Sequence, residues 1–302
     1  MSTPLRNCVV LVTGGGRGIG RSHCLTLASL GAAVVVNDPG VARDGSEQAA
    51  GPGPADAVAA EITAAGGRAI AHTGSVASWS DAADMVEAAV QTFGTLTGIV
   101  NNAGILRDSL VATTTEADWD NVIAVHLKGT FAVTHHSCAY WRAEAKAGRQ
   151  VDAHIVNTVS GSGLWGNVGQ AAYGAAKAAI ANLTLVTAME AHRYGVAVNA
   201  ISPLARSRMT DVLFAGRPDD PALDPSRSSP VVAWLQSPES SWLTGQIMRI
   251  DGATLSRIDG FAESSRYTAD NAESLEYSEI DAAVRWLWGT LPRGLAGSLP
   301  RH

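Results

Sequence analysis

The sequence predicts an α/β fold: one doubly wound parallel sheet in three layers, with about seven strands and a C-terminal extension. Three observations predict it. Short β-branched runs alternate with longer Ala-rich segments of helical period over the first 250 residues or so. The first strand leads directly into a glycine-rich turn and a helix. The chain has 302 residues, 46 % hydrophobic and 17 % charged, which suits one large domain with a substantial core. Regular β-α-β alternation implies right-handed crossovers, a parallel sheet covered on both faces, and ligands at the carboxyl ends of its strands.

Each element follows in order. Cys8–Thr13 reads as a buried strand and Gly18–Leu30 as the helix after the glycine turn. Ala33–Asp38 is the second strand. Pro54–Ala65 is helical and stops at Gly66-Gly67. Ala69–His72 is a third strand, then Asp81–Phe93 a helix with Ser80 as its N-cap. Ile99–Asn102 is the fourth strand, and one long helical stretch covers Glu116–Ala147. His154–Val159, the helix Gln170–Tyr194 and Val196–Ile201 follow, with Gln246–Ile250 as the last strand. Pro39–Pro54 is longer than a usual βα loop and reads as a surface excursion. Residues 211–230, with four prolines and much Ser and Asp, read as a mobile loop that suits a substrate lid. These signals divide the chain into a catalytic domain, 1–260, and a tail, 261–302, that is helical near Ser278–Trp288.

Several function classes are excluded by composition. The net charge of −6 leaves no basic excess for binding nucleic acid. Three scattered cysteines, Cys8, Cys24 and Cys138, form neither a disulfide framework nor a zinc motif, and no metal site is expected. They fit a reducing, cytoplasmic setting. Residues 1–7 lack a secretory pattern, no apolar run is long enough for a membrane span, and the last residues are not a Ser-Lys-Leu address.

The turn Thr13-Gly14-Gly15-Gly16-Arg17-Gly18-Ile19-Gly20 carries the first chemistry. Glycines let the backbone approach a pyrophosphate, and the following helix N-terminus favours its negative charge. A dinucleotide cofactor is expected there. Asp38 ends the second strand, 18 residues after Gly20. Its carboxylate suits the adenosine ribose hydroxyls and repels a 2′-phosphate, which favours NAD over NADP. Arg17 pulls the other way, since a guanidinium pairs with phosphate; a carboxylate facing a phosphate dianion is the stronger constraint.

Tyr173 and Lys177 are spaced i, i+4 on a predicted helix and share one face. A tyrosine of ordinary pKa, about 10, is a poor base at neutral pH. A nearby ammonium favours the phenolate, so the pair predicts a lowered Tyr173 pKa. Ser160 ends the fifth strand, where its hydroxyl is placed to hold a substrate oxygen.

Together these residues resemble the short-chain dehydrogenase/reductase family. Thr13-Gly14-x-x-x-Gly18-x-Gly20, Asn101-Asn102-Ala103-Gly104, Ser160, Tyr173-x-x-x-Lys177 and Asn199-x-Ile201-x-Pro203 fall in its order and spacing over residues 5–255. The resemblance implies a Rossmann-type domain that transfers a hydride to or from a secondary alcohol. It implies Tyr173 as acid/base, Ser160 as the group that positions the substrate oxygen, and Lys177 on the nicotinamide ribose. It places Gly14, Arg17, Gly18, Ile19, Gly20, Asp38, Asn102, Ala103, Gly104 and Pro203 around the cofactor, with Val76 after Ser75 at the adenine and Thr210 at the nicotinamide carboxamide or a phosphate. Ser162 is read as structural. His126, in Val125-His126-Leu127-Lys128-Gly129, stands where the family often has an Asn that supports a proton-relay water; a water-holding imidazole and a packed one both fit. Leu204 follows Pro203 where Gly is usual.

Other stretches are similar to a subgroup, the (3R)-hydroxyacyl-CoA dehydrogenase domain of peroxisomal multifunctional enzyme type 2. They are Val36-Asn37-Asp38, Asn101–Asp108, Val125–Gly129, Gly166–Tyr173 and Ser207–Thr210. The resemblance implies a 3-hydroxyacyl-CoA thioester, fatty or steroid-like, oxidised with NAD by a dehydrogenase without hydratase or sterol-carrier parts. A free hydroxysteroid or other alcohol is the rival substrate, and a non-catalytic NAD-binding protein is the rival of a different class, which intact Ser160, Tyr173 and Lys177 argue against. Arg107, Arg142, Arg206 and Arg208 are candidates for the phosphates of coenzyme A. Apolar helix faces around His126 and Tyr173 suggest a homodimer or homotetramer.

Overall fold

A computed structural model of the chain describes residues 3–46, 53–206, 220–260, 265–268 and 277–288. They fall into two compact units, Met1–Ile258 and Asp259–His302.

The first unit is built on one eight-stranded sheet, in the order β3-β2-β1-β4-β5-β6-β7-β8. β1 (Val9–Thr13), β2 (Ala33–Asn37), β3 (Arg68–His72), β4 (Gly98–Asn101), β5 (Ala153–Thr158), β6 (Val196–Leu204) and β7 (Ile247–Asp251) run parallel. β1 and β2 are buried throughout, as expected of strands covered on both faces. The chain leaves β1 toward β2 and later returns on its other side as β4. That reversal opens a crevice at the carboxyl ends of β1 and β4.

Helices α1 (Gly18–Ser29), α2 (Pro54–Ala64) and α8 (Ser229–Leu235) cover one face, packing Leu27, Ile62 and Leu235 over Val10, Val34 and Val100. Helices α3 (Trp79–Phe93), α5 (Gly129–Lys146) and α7 (Ala171–Ala191) cover the other, packing Met85, Val133 and Ala188 over Leu11, Val35 and Ile155. Each face buries large aliphatic side chains, worth roughly 1.5–3 kcal/mol apiece. Asn199 on β6 fixes the entry to β7: its Nδ2 donates to Leu243 O (2.8 Å) and its Oδ1 accepts from Gln246 N (3.0 Å).

The structure corrects the sequence reading at five places. The long helix over Glu116–Ala147 is interrupted: α4 (Glu116–Ile123) ends in a π turn, Ala124–Lys128, before α5 begins. The N-cap of α3 is Ser78, whose hydroxyl accepts from Asp81 N, rather than Ser80. A short helix, α6 (Gly161–Trp165), stands between β5 and α7. An eighth strand, β8 (Thr254–Ile258), pairs antiparallel with β7 through a tight turn at Gly252, φ +57°. The Asp251-Gly252 pair is a hairpin signal that strand counting by β-α alternation passes over. The described part of the expected 211–230 loop, from Asp220, is two 3-10 turns, Pro221–Leu223 and Pro225–Ser228, leading into α8.

In the second unit, α9 (Tyr277–Trp288) carries an Asp281–Arg285 ion pair (2.7 Å), and Trp286 packs against Tyr267 with ring centroids 6.1 Å apart.

Among the described residues no helix is long and apolar enough to cross a membrane, and no group of His, Cys, Asp or Glu is arranged to hold a metal ion.

Candidate active site

A cleft of about 240 Å³ opens at the crevice between β1 and β4. Its walls include Gly14, Arg17, Gly18, Ile19, Gly20, Asp38, Ser75, Val76, Asn102, Ala103 and Gly104, so the structure brings together most of the residues expected around a cofactor. Gly14 has φ +63°, and a Cβ there would lie 2.9 Å from Ala103 Cα. A Cβ on Gly20 would lie 2.1 Å from Gly14 O. The turn is therefore drawn tight against the start of α1, which leaves the space a pyrophosphate needs.

Neighbouring strands buttress this turn. Asn102 Nδ2 donates to Thr13 O (3.0 Å) and Gly14 O (3.1 Å). Thr13 Oγ1 accepts from the backbone N of Asn102 (3.0 Å) and Ala103 (3.1 Å). Asn102 thus holds the turn as well as lining the cleft, and Thr13, the first residue of the motif, supports it through a hydroxyl whose role the motif did not state.

Asp38 is buried, 8 % exposed. Its Oδ2 accepts from Gly16 N (3.2 Å) and its Oδ1 from Gly40 N (2.8 Å). Each oxygen retains a second lone pair, so the carboxylate closes the turn and can still accept from ribose hydroxyls. Arg17 Nη1 donates to Val41 O (3.0 Å). The excursion after β2 crosses to the segment after β4. Leu106 N donates to Arg43 O (3.1 Å), and Arg107 Nε donates to Asp44 O (2.8 Å). Val41, Ala42, Arg43 and Gly45 consequently become a wall of the cleft, a role that the sequence's Gly- and Pro-rich composition does not disclose.

Tyr173, Lys177 and Ser160 lie outside the cleft lining, past its Gly104–Ile105 end. Tyr173 sits in the first turn of α7. The Ser160 side chain is near enough to the phenol to act on its ionisation. Lys177, one turn on and 3 % exposed, donates from Nζ to Thr158 O (2.6 Å), with Nζ 5.7 Å from the Tyr173 ring centre. Burial pushes Lys177 down to about 7. Burial also raises the Tyr173 phenol above its usual range, with the nearby Ser160 side chain opposing the rise and the Asp108 carboxylate adding to it. This overturns the expected lowering: desolvation disfavours both charges, and a lysine brought near neutrality gives the phenolate little help by itself.

His126 is buried in the π turn. Its Nε2 lies 2.8 Å from Ile105 O and 3.1 Å from Ile105 N, and its ring meets Tyr173 edge-on with centroids 5.1 Å apart. Burial, with the Lys177 charge adding, lowers its pKa to about 3, so the imidazole is neutral. Nδ1 is buried without a protein partner. Gly104 makes room for this ring: a Cβ there would lie 2.3 Å from His126 Cε1.

Other expectations separate. Pro203 is part of β6 and does not line the cleft. Thr210 and Arg208 lie outside the described residues. Arg107 is committed to Asp118 (2.6 Å). Arg142 is near Tyr194, which precedes the amino end of β6, so it is at the wrong end of the sheet. Arg206 follows the carboxyl end of β6. Arg249, not singled out from sequence, stacks on Trp165 of α6 with its guanidinium 5.3 Å from the ring centre.

The sequence profile of the short chain dehydrogenase family matches residues 8–215. A hydroxyacyl-CoA dehydrogenase of Mycobacterium tuberculosis, ChsB1, is 39 % identical over 292 residues, 94 % of this chain and 89 % of the relative. The peroxisomal multifunctional enzyme type 2 of Mus musculus is 42 % identical over 239 residues, 78 % of this chain and 31 % of that protein. A short chain dehydrogenase from Mycobacterium avium has a crystal structure similar to this one: TM-score 0.85, 49 % identity, 94 % of this chain and 96 % of that one. With the nucleotide cleft, the Ser-Tyr-Lys constellation and these relatives in agreement, the chain belongs to the short chain dehydrogenase family of oxidoreductases.

Proposed function

We propose that this enzyme oxidises the hydroxyl of a 3-hydroxyacyl-CoA thioester to the ketone, with NAD as hydride acceptor. The observation that carries it is the neighbouring Ser160 and Tyr173, backed by buried Lys177, beside a cleft lined by the Asp38 carboxylate. Asp38 supports NAD, because a 2′-phosphate there meets a buried negative charge. The hydroxyacyl-CoA dehydrogenases among the relatives support the thioester.

Ser160 and Tyr173 divide the work at the substrate oxygen. Ser160 donates to that oxygen and holds it, and Tyr173, as the phenolate, accepts its proton. When bound, the cofactor supplies a cationic nicotinamide ring that takes the hydride. Lys177 orients the nicotinamide ribose from its anchor on Thr158 O. Positive charge on a bound cofactor would supply the potential that the chain's own residues lack, and would lower the phenol toward working pH. Neutral His126, fixed by Ile105, keeps the back of the Tyr173 ring in place.

Initial rates with 3-hydroxyacyl-CoAs, steroid-CoAs and free hydroxysteroids, each with NAD and NADP, test the reading. Turnover of CoA esters with NAD is expected; turnover of free alcohols alone sinks the thioester assignment. Tyr173→Phe is expected to lose 10²–10⁴-fold in kcat, on the order of general acid–base catalysis, while NAD titration shows little change in affinity.

A further inference from the structure

α6 is five residues long and has no buried residue, yet its N-cap is Ser160. A helix this short does not hold its own shape in water. Ser160 Oγ accepts from Ser162 N (3.2 Å), so the hydroxyl follows wherever this turn goes. What fixes the turn therefore fixes the distance from Ser160 to Tyr173.

One constraint is close packing. A Cβ on Gly163 would lie 2.6 Å from Ala178 N and 2.7 Å from Lys177 C, so α6 rests directly on the α7 backbone. Another is a single amide. Gln170 immediately precedes α7, three residues before Tyr173. Its Oε1 accepts from Ser162 Oγ (2.7 Å) and Asn167 Nδ2 (3.0 Å). Its Nε2 donates to both carboxylate oxygens of Asp108, at 3.2 and 3.3 Å. Its backbone O accepts from Gly174 N (2.7 Å), and Ser109 N donates to Gly169 O (2.9 Å) alongside. The segment after β4, the turn that carries Ser160 and the start of the Tyr173 helix thus meet at one side chain.

Resting on the oxidation proposed above, we propose that Gln170 is a positioning residue that sets the Ser160–Tyr173 geometry by clipping α6 to Asp108. An amide suits the chemistry. One end accepts from Ser162 and Asn167 while the other donates to a carboxylate, a pairing that an amide offers without a titratable group. Glutamate at 170 keeps the accepting end and sets a charge against Asp108. An exposed network of this kind contributes little to stability, so its loss is expected to appear in kcat rather than in folding.

The test is a double-mutant cycle. Gln170→Glu is expected to lower kcat about tenfold, with NAD affinity and Tm nearly unchanged. Adding Asp108→Asn reverses the donor and acceptor roles and is expected to recover at least threefold of the loss. A readout without turnover is the Tyr173 ¹³Cζ resonance, assigned by its absence in Tyr173→Phe. It is expected to move in Gln170→Leu as Ser160 shifts relative to the phenol. Unchanged kcat in Gln170→Glu, a loss that Asp108→Asn does not relieve, or an unmoved resonance overturns the proposal. A wild type that oxidises no CoA ester defeats the substrate assignment alone, because the resonance still reads the clip.

Discussion

The two halves of the sheet's carboxyl edge are built by different means. On the β1–β2 side the site is largely backbone: a glycine turn, a helix start, and one carboxylate that ties Gly16 and Gly40 together. On the β4–β6 side it is side chains, brought from the end of β5, the first turns of α7, the π turn and the loop after β4. A backbone site is encoded by a short contiguous string. A side-chain site is encoded by distances between elements far apart in sequence. The first tolerates no added atom, whereas the second tolerates some and fails by degrees.

Breaking the backbone half gives the largest expected effect. Gly20→Ala places a methyl 2.1 Å from Gly14 O and 2.5 Å from Asn102 Nδ2. Roughly 100-fold weaker NAD binding is expected, about 2.7 kcal/mol, measured by calorimetric titration. Near-normal affinity would show that the turn can open without penalty, and the contrast would fall.

Gly104→Ala is the intermediate case, because it adds a methyl where the halves meet. The His126 ring must move from 2.3 Å away, and it is packed on Tyr173. A roughly tenfold to 100-fold loss in kcat is expected, in line with a displacement of about 1 Å near the reacting groups. NAD affinity is expected to fall much less than in Gly20→Ala. Gly104→Ala combined with His126→Ala is expected to regain Tm lost by Gly104→Ala alone. Equal losses of NAD affinity in the two glycine variants would mean that the halves cannot be separated.

Acid offers the gentlest probe. His23, on the α1 side, and His126, on the catalytic side, are both lowered by burial to about 3. The native state holds them neutral, while the unfolded chain protonates them near 6.5. Their contribution is thus complete above about pH 6.5 and is lost progressively as pH falls toward 3. Each adds a slope of about 1.4 kcal/mol per pH unit within that window. His23→Gln is expected to flatten Tm against pH between 7 and 5. An unchanged slope would mean that His23 stays neutral in the unfolded chain or is reached by water in the folded one.

The same contrast explains what the sequence disclosed. The seven parallel strands, the glycine turn and the place of Asp38 at the end of β2 were legible because each is a local pattern of residue types, whereas the order of the strands across the sheet is not local. Tyr173 and Lys177 were legible because one helical turn separates them. The π turn was not, because Ala124–Lys128 has ordinary helix-forming composition. Gly104 could be read only as a motif glycine, since the ring that needs its space lies 22 residues away. The raised Tyr173 pKa was missed because spacing reports the neighbouring lysine but not the burial that affects both groups. Arg107, by contrast, looked available for a ligand and is instead held by Asp118 and Asp44.

The π turn has a consequence for the counting of residues. A π turn holds one residue more than the α-helix it interrupts. Deleting one residue from Ala124–Lys128 would leave a smoother helix with equal or better local propensity. Because the π turn absorbs its extra residue, α5 would keep nearly the same phase relative to α4, and what would go is the wide turn that carries His126. Val122 packs with Ile105 and Ala172, and Thr134 accepts from Asn101 Nδ2 (3.1 Å). Both helices would therefore keep these partners, while the His126 ring would lose its place beside Ile105 and Tyr173. The extra residue between Val122 and Thr134 thus matters for where it puts one ring, a constraint on length rather than on composition.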